Sequence, residues 1–122
     1  MALLQMFKAL FKSTPSATPT DVAARVRSGE AVLIDVREAN EWSRGVVETA
    51  VLLPFSDLTR RRTQWSPFLA QVAGRELLLY CASGSRSGIA TRLLVSEGFR
   101  ATNAGSITDW SAAGWRITQP RN

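Results

Sequence analysis

The chain has 122 residues, enough for one domain with a sizeable hydrophobic core, and a formal net charge of +5. It contains one cysteine and no histidine. This composition excludes an internal disulfide, a Cys–His or Ser–His catalytic pair, and a zinc site built from thiolate and imidazole ligands, so we expect no metal and no other cofactor. The basic excess favours anionic substrates or partners over cationic ones.

One basic cluster stands out, formed by Arg60, Arg61 and Arg62 and followed by Trp65. Such a cluster can contact nucleic acid, but three arginines in a loop are more often simply solvated. Because nothing else in the sequence matches a nucleic-acid-binding module, we expect no nucleic-acid partner.

The first segment, residues 1–12 (MALLQMFKALFK), has the pattern of a short amphipathic helix, with Lys8 and Lys12 on a polar face. It is too short to span a bilayer, which takes about 20 apolar residues, and it lacks the features of a secretory signal. We expect it either to cover its own domain or to contact a membrane surface or a partner subunit. The predicted location is therefore cytoplasmic, with peripheral membrane attachment as an alternative.

A stretch rich in Ser, Thr and Pro follows at residues 13–19 and is typical of a linker. Thr18 and Pro19 then supply a helix N-cap and a proline at the first helical position, and Gly29 is placed to end that helix. We assign residues 1–17 to the N-terminal amphipathic segment and linker, 18–118 to the folded domain and 119–122 to a tail.

Residues 31–36 (AVLIDV) form an apolar run interrupted by Asp35, which favours a central strand buried on both faces. Asp35 lies near the carboxyl end of this strand, where open α/β sheets build their sites, so a functional role is one alternative. For Asp35 and Arg37 we favour a supporting role, in which Asp35 caps the turn or pairs with a neighbouring arginine to hold the loops.

Strands and helices alternate along the rest of the chain. The sequence predicts a helical turn at 38–44, a strand at 50–53, a loop with one helical turn at 55–64, a helix from Ser66 and Pro67 to Gly74, a strand at 76–80, a helix ending at Gly98, a strand at 99–103 and a short helix ending at Gly114. This alternation indicates a parallel sheet with helices on both faces.

The stretch LLLYCASGSRSG at residues 77–88 carries the strongest chemical signal. An apolar run leads into Cys81, and a helical pattern follows a short loop. The loop consists of Ala82, Ser83, Gly84, Ser85, Arg86 and Ser87. A strand that ends in a thiol, a tight loop and a helix N-terminus can form an anion-binding cup around a nucleophile. We therefore interpret Cys81 as the reactive centre; the alternative is a buried small hydrophobic residue.

Several motifs resemble the rhodanese domain family, and its single-domain sulfurtransferases in particular, over residues 18–117. In chain order they are LIDVRE at 33–38, Glu41-Trp42, YCASGSRS at 80–87, EGF at 97–99, and Gly105, Trp110 and Gly114. The resemblance implies a three-layer α/β/α fold around a central, mostly parallel sheet, with Cys81 as the catalytic cysteine. The chain departs from the family at residues 46–49 (VVET), where a His-Ile-Pro-Gly run is common.

The resemblance also implies a reaction, in which the Cys81 thiolate takes the outer sulfur of thiosulfate or a related small anionic donor, releases sulfite and forms a persulfide. With no histidine, the thiolate must be favoured by backbone amides, a helix dipole or a cation, and such settings lower a cysteine pKa from about 8.5 to roughly 3.5–7.5. The chain has no second cysteine, so an outside thiol or protein must accept the sulfur.

The other loop residues have expected roles on these terms. Gly84 permits the tight backbone path. Ser83 and Ser85 either donate hydroxyl hydrogen bonds toward a persulfide or are merely small and polar. Arg86 either binds a sulfonate or pairs with an acid such as Asp35. Ser87 is expected to cap the following helix.

Two other functions remain open within this fold. The first is a regulatory or interaction module without turnover, which often lacks the cysteine that this chain retains. The second is a phosphatase or arsenate reductase, whose loop has five residues between Cys and Arg; here there are four between Cys81 and Arg86. The smaller cup suits a sulfur atom better than a tetrahedral oxyanion, so we favour sulfur transfer.

Overall fold

The structure is a computed structural model that describes residues 14–72 and 74–120. The predictions for residues 1–12 lie outside these ranges. The helices are α1 (Pro19–Ser28), α2 (Ala39–Trp42), α3 (Phe55–Leu58), α4 (Trp65–Gln71), α5 (Ser85–Ser96) and α6 (Ile107–Ala112). The strands are β1 (Ala31–Asp35), β2 (Val46–Val47), β3 (Val51–Leu52), β4 (Glu76–Cys81), β5 (Ala101–Ser106) and β6 (Ile117–Thr118).

The central sheet has four strands in the order β3-β1-β4-β5, and every neighbouring pair is parallel. β1 is buried at each of its five positions, as expected for a strand covered on both faces. Because the strands are parallel, their carboxyl ends lie along one edge of the sheet. That edge carries both Asp35 and Cys81.

Helices cover both faces of the sheet. On one face, Leu77 and Leu79 of β4 belong to a core cluster that includes residues of α3, α4 and α5. On the other face, Leu78 and Tyr80 join a second cluster that includes Val22 of α1 and residues of α6. Each fully buried leucine contributes about 1.5–3 kcal/mol relative to an exposed one. The predicted three-layer α/β/α architecture with a mostly parallel sheet is thus confirmed.

Helix α1 begins and ends where the sequence predicts. The Thr18 hydroxyl accepts a hydrogen bond from the Asp21 N–H, and the Asp21 carboxylate accepts one from the Thr18 N–H, which completes a capping box. Gly29 follows the helix with φ of +83°, a conformation that glycine adopts without strain.

Helix α4 begins at Trp65, two residues before Pro67, so Ser66 lies inside the helix and does not cap it. Its cap comes from a distant side chain, because the Asp57 carboxylate accepts hydrogen bonds from the backbone N–H groups of residues 63, 64 and 65. Capping by a residue several positions upstream leaves no local signal in the sequence.

Two short strands are absent from the prediction. β2 and β6 form a separate antiparallel pair in which Val46 opposes Thr118 and Val47 opposes Ile117. Two-residue strands are too short to show alternating hydrophobicity. The predicted strands at 50–53 and 99–103 exist, although β3 is shorter than predicted and β5 begins and ends later.

The segment just before α1 pairs with β5, the outer strand on one side of the sheet. The Asn103 N–H donates to the Pro15 carbonyl at 2.7 Å, and the Ala17 N–H donates to the Asn103 carbonyl at 3.1 Å. Residues 15–17, which the composition assigns to a linker, therefore extend the sheet beyond β5. No helix in the described part of the chain is long and apolar enough to cross a membrane.

Candidate active site

Cys81 is the last residue of β4, at the centre of the carboxyl edge of the sheet. Its side chain is completely buried. The next residues turn sharply, with Gly84 at φ of +92°, and α5 begins at Ser85. The strand, loop and helix predicted around the cysteine are therefore present.

Hydrogen-bond donors converge on the Cys81 sulfur. The Gly84 N–H lies 3.0 Å from Sγ, while the Ser87 N–H and the Ser87 hydroxyl each lie 3.4 Å from it. The N-terminus of α5 also directs its positive end toward this loop. Burial alone would fit a core thiol, but three donors aimed at one sulfur favour a thiolate.

The electrostatic balance at Cys81 follows from these contacts. Burial raises the pKa of the thiol, and this is the largest single effect on it. Hydrogen bonds from the Ser87 hydroxyl and from the backbone N–H groups of Ser87, Ser83 and Gly84 together outweigh burial, so the pKa of Cys81 lies below its usual value. The site thus stabilises the thiolate without a histidine.

The prediction that Ser87 caps α5 is wrong. The N-cap residue is Gly84, and Ser87 lies in the first turn, fully buried, with its hydroxyl beside Sγ. The reason is that the helix starts two residues earlier than Ser87. The Cys81 sulfur itself accepts the Ser87 N–H, which a capping side chain would otherwise bond.

The hydroxyl groups of Ser83 and Ser85 occupy the outside of the loop. Both residues are exposed, as is Ala82, and the Ser83 hydroxyl accepts a hydrogen bond from the Ser85 N–H at 3.4 Å. In residues 14–72 and 74–120, the hydroxyl bonded to Sγ belongs to Ser87 instead. A role as small, polar loop residues therefore fits Ser83 and Ser85 better than direct donation.

Arg86 pairs with an acid, as one of the two expected roles requires, but that acid is Glu41 and not Asp35. Its guanidinium makes two parallel hydrogen bonds to the Glu41 carboxylate of α2, at 2.7 and 2.9 Å. Chiefly because of the Arg86 hydrogen bond, the pKa of Glu41 falls from 4.5 to about 2. The pair joins the cysteine loop to α2. Glu41 is a site residue to which the sequence assigns no role, although it belongs to the Glu41-Trp42 motif.

Asp35 is occupied by a different arginine, the nearby Arg37. The buried Asp35 carboxylate accepts hydrogen bonds from the Arg37 backbone N–H, from Nε and from Nη2, the last at 2.8 Å, and from Nε1 of Trp42. Arg37 Nη2 also donates to the Gly45 carbonyl. This is the pairing with a neighbouring arginine that the sequence favours. It ties the loop after β1 to the turn before β2.

Asn103 of β5 is a second site residue that the sequence does not single out. Its amide Nδ2 donates to the Gly84 carbonyl at 3.0 Å, and its Oδ1 accepts from the Ser87 hydroxyl at 2.7 Å. The one available signal is a polar side chain inside a predicted strand, which does not specify a partner.

The family model for the rhodanese-like domain matches residues 18–113. The chain belongs to the rhodanese-like domain family. It is 33% identical over 92 residues to a thiosulfate:glutathione sulfurtransferase from Saccharomyces cerevisiae, a match that covers 68% of this chain and 66% of the yeast protein. The chain thus spans just under two thirds of that relative.

Solved structures agree with this assignment. The human single-domain sulfurtransferase TSTD1 superimposes with a TM-score of 0.67 at 28% identity, over 81% of this chain and 96% of the human one. A protein of unknown function from Rhodopseudomonas palustris, described as a possible tyrosine phosphatase, has a TM-score of 0.70 at 26% identity, over 93% of this chain and 91% of its own. The relatives named as sulfurtransferases support membership of a sulfurtransferase family.

Proposed function

We propose that this protein is a sulfurtransferase that moves a sulfane sulfur atom from thiosulfate or a related small anion to a thiol acceptor through a persulfide on Cys81. The observation that carries the proposal is the convergence of the Gly84 N–H, the Ser87 N–H and the Ser87 hydroxyl on one sulfur atom. The names of the yeast and human relatives point in the same direction.

In the first half-reaction, the Cys81 thiolate attacks the outer sulfur of thiosulfate. A bond forms between Sγ and that sulfur, the bond from that sulfur to the sulfonate group breaks, and its electron pair leaves with sulfite. The product is a Cys81 persulfide that carries the negative charge on its outer sulfur. The positive end of α5 faces this loop and favours that negative charge.

In the second half-reaction, an acceptor thiolate attacks the outer sulfur. The new bond forms to the acceptor, the bond to Sγ breaks, and its electron pair restores the Cys81 thiolate. The two half-reactions constitute a ping-pong cycle. Since the chain has one cysteine, the acceptor must be another molecule, and a small thiol such as the glutathione in the yeast relative's name fits this requirement.

In this proposal Arg86 has a structural role, in which it joins the cysteine loop to α2. Its two hydrogen bonds to Glu41 already engage the guanidinium, so the charge of the donor is left chiefly to the loop amides. Asp35 and Arg37 support the same edge of the sheet from the neighbouring strand.

Phosphate-ester hydrolysis is the second candidate, because the Rhodopseudomonas palustris neighbour is described as a possible tyrosine phosphatase. The loop of this chain has four residues between Cys81 and Arg86, one fewer than the phosphatase pattern noted above. A smaller cup suits a sulfur atom better than a tetrahedral phosphoryl group.

The test is a steady-state assay that offers both chemistries to the same preparation. We expect thiocyanate formation from thiosulfate and cyanide, and no phosphate release from an aryl phosphate. The matched control is Cys81→Ser, which should abolish thiocyanate formation while leaving the melting temperature within a few degrees. Sulfur transfer that survives in Cys81→Ser, or phosphate release that depends on Cys81, would contradict the proposal.

A further inference from the structure

Asn103 connects strand β5 to the cysteine loop through every polar atom of its side chain. Nδ2 donates to the Gly84 carbonyl at 3.0 Å, while Oδ1 accepts from the Ser87 hydroxyl at 2.7 Å and from the Gly105 N–H at 3.1 Å. A carbonyl faces Nδ2 and a backbone N–H faces Oδ1, so one orientation of the amide satisfies all three bonds.

The bond to Gly84 bears on the donor closest to the sulfur. Gly84 has φ of +92°, and its N–H lies 3.0 Å from Cys81 Sγ. Glycine is the residue with the greatest backbone freedom, so this turn needs an external restraint to hold its N–H in place. The Gly84 carbonyl accepts the Gly88 N–H within α5, and Asn103 Nδ2 adds the restraint from outside the loop and helix.

The bond to Ser87 determines where a single proton goes. A hydroxyl has one hydrogen to donate, and the Ser87 oxygen lies 2.7 Å from Asn103 Oδ1 but 3.4 Å from Cys81 Sγ. While Cys81 is a neutral thiol, the Ser87 hydroxyl donates its hydrogen bond to Asn103 Oδ1. When Cys81 is a thiolate, the hydroxyl can rotate and donate to Sγ instead. Asn103 Oδ1 still accepts the Gly105 N–H when the Ser87 hydroxyl turns toward Sγ. The rotation of the hydroxyl therefore leaves no buried acceptor without a hydrogen bond.

The neighbouring helix leaves room for this amide. A Cβ atom on Gly88 of α5 would lie 3.3 Å from Asn103 Nδ2, which is tight for such a contact. Glycine inside a helix costs about 1 kcal/mol relative to alanine. Space for the Asn103 side chain accounts for the glycine at this position, which helix propensity does not.

The backbone of Asn103 is held from both sides. On one side Asn103 pairs with Leu79 of β4, two residues before Cys81. On the other side its N–H and carbonyl bond Pro15 and Ala17. The Asn103 carboxamide therefore projects from a strand that pairs directly with the strand carrying the cysteine.

We propose that Asn103 is a positioning residue of the reactive site, which fixes the Gly84 carbonyl and so the turn whose N–H meets the sulfur of Cys81, and which orients the Ser87 hydroxyl beside that sulfur. The role rests on the proposed function of Cys81 as a nucleophile. It goes beyond that function by making the reactivity of the thiolate depend on a side chain from the neighbouring strand.

The test is the pH dependence of Cys81 alkylation by iodoacetamide, in Asn103→Asp and in a matched control. Asn103→Asp removes the donor to Gly84, competes for the Ser87 proton and adds a negative charge near the sulfur. We expect the midpoint of the alkylation profile to rise by about one pH unit or more, which lowers the rate below the midpoint about tenfold. Gln71→Glu makes the same amide-to-carboxylate change at an exposed position on α4 and should leave the midpoint unchanged.

A second variant, Asn103→Thr, keeps a residue that favours strands but cannot reach the Gly84 carbonyl. We expect its midpoint to rise by about half a unit, and because this variant adds no charge, its shift separates the lost hydrogen bond from the effect of the new carboxylate. A midpoint that stays at the parent value in a folded Asn103 variant, or that moves equally in Gln71→Glu, overturns the role. Alkylation needs no turnover, so this result is independent of whether the parent protein transfers sulfur.

Discussion

Replacing Glu41 with glutamine tests whether the ion pair with Arg86 braces the cysteine loop. Glu41 Oε1 also accepts the Glu38 N–H at 3.0 Å, in the capping box of α2. Because the side-chain oxygen of glutamine can still accept that bond, Glu41→Gln removes the charge and keeps the cap. The variant therefore isolates the contribution of the pair.

The size of the effect follows from the Glu41 carboxyl group. A fall of its pKa from 4.5 to about 2 corresponds to roughly 3 kcal/mol at 1.36 kcal/mol per unit. The side chains of Arg86 and Glu41 are 31% and 26% exposed, so solvent screening reduces the contribution to about 1 kcal/mol. We expect Glu41→Gln to lower the melting temperature at pH 7 by about 4 °C.

The stabilisation that Glu41 provides should depend on pH in a defined direction. A carboxyl group whose pKa is depressed in the folded state stabilises the protein above its unfolded pKa, and this stabilisation is lost as the pH falls through the folded pKa. The difference in melting temperature between parent and Glu41→Gln should be constant above about pH 5 and should shrink from pH 4.5 toward pH 2.

The assay is thermal unfolding followed by circular dichroism between pH 7 and pH 3. Two further variants sharpen it. Glu30→Gln, at an exposed glutamate, controls for loss of charge alone. In an Arg86→Gln background, Glu41→Gln should cost less than about 0.3 kcal/mol, because its partner is already absent. The structural role of the Arg86–Glu41 pair would be refuted if the difference in melting temperature between parent and Glu41→Gln persisted unchanged to pH 3. It would also be refuted if Glu41→Gln cost as much in the Arg86→Gln background.

Three further substitutions, measured by urea unfolding, test the backbone and the buried ion pair around the site. Thr49 has φ of +76°, which is strained for a β-branched residue, so Thr49→Gly should raise the free energy of unfolding by about 1 kcal/mol. Arg62 also has a positive φ, but Arg62→Gly should lower the free energy of unfolding, because the substitution removes the ion pair with Glu97. Asp35→Ala should lower it by about 3–5 kcal/mol, since Arg37 is left as a buried charge without its partner.

The architecture could be predicted because its signals are local. The apolar run of β1 and the cap-plus-proline start of α1 each lie within a few consecutive residues. The strand that ends at Cys81 and the helix after it are equally predictable from the sequence, because a continuous apolar run changes to a helical pattern across one short loop.

The contacts that shape the site could not be predicted, because they join residues distant in sequence. The partner of Arg86 is Glu41, 45 residues earlier, and any of several acids would have fitted the pattern equally well. The Ser87 hydroxyl meets Asn103 across 16 residues. Hydrophobic periodicity locates a strand, but it does not specify which polar side chain on that strand reaches a neighbouring loop.

The persulfide on Cys81 is the central claim, and intact-mass spectrometry tests it most directly. After incubation with thiosulfate and removal of excess reagent, the parent protein should gain the mass of one sulfur atom, and peptide mapping should assign it to Cys81. Addition of a small thiol should return the parent mass. Cys81→Ser should gain nothing. A parent protein that gains no sulfur, or that gains it at a residue other than Cys81, would contradict the account.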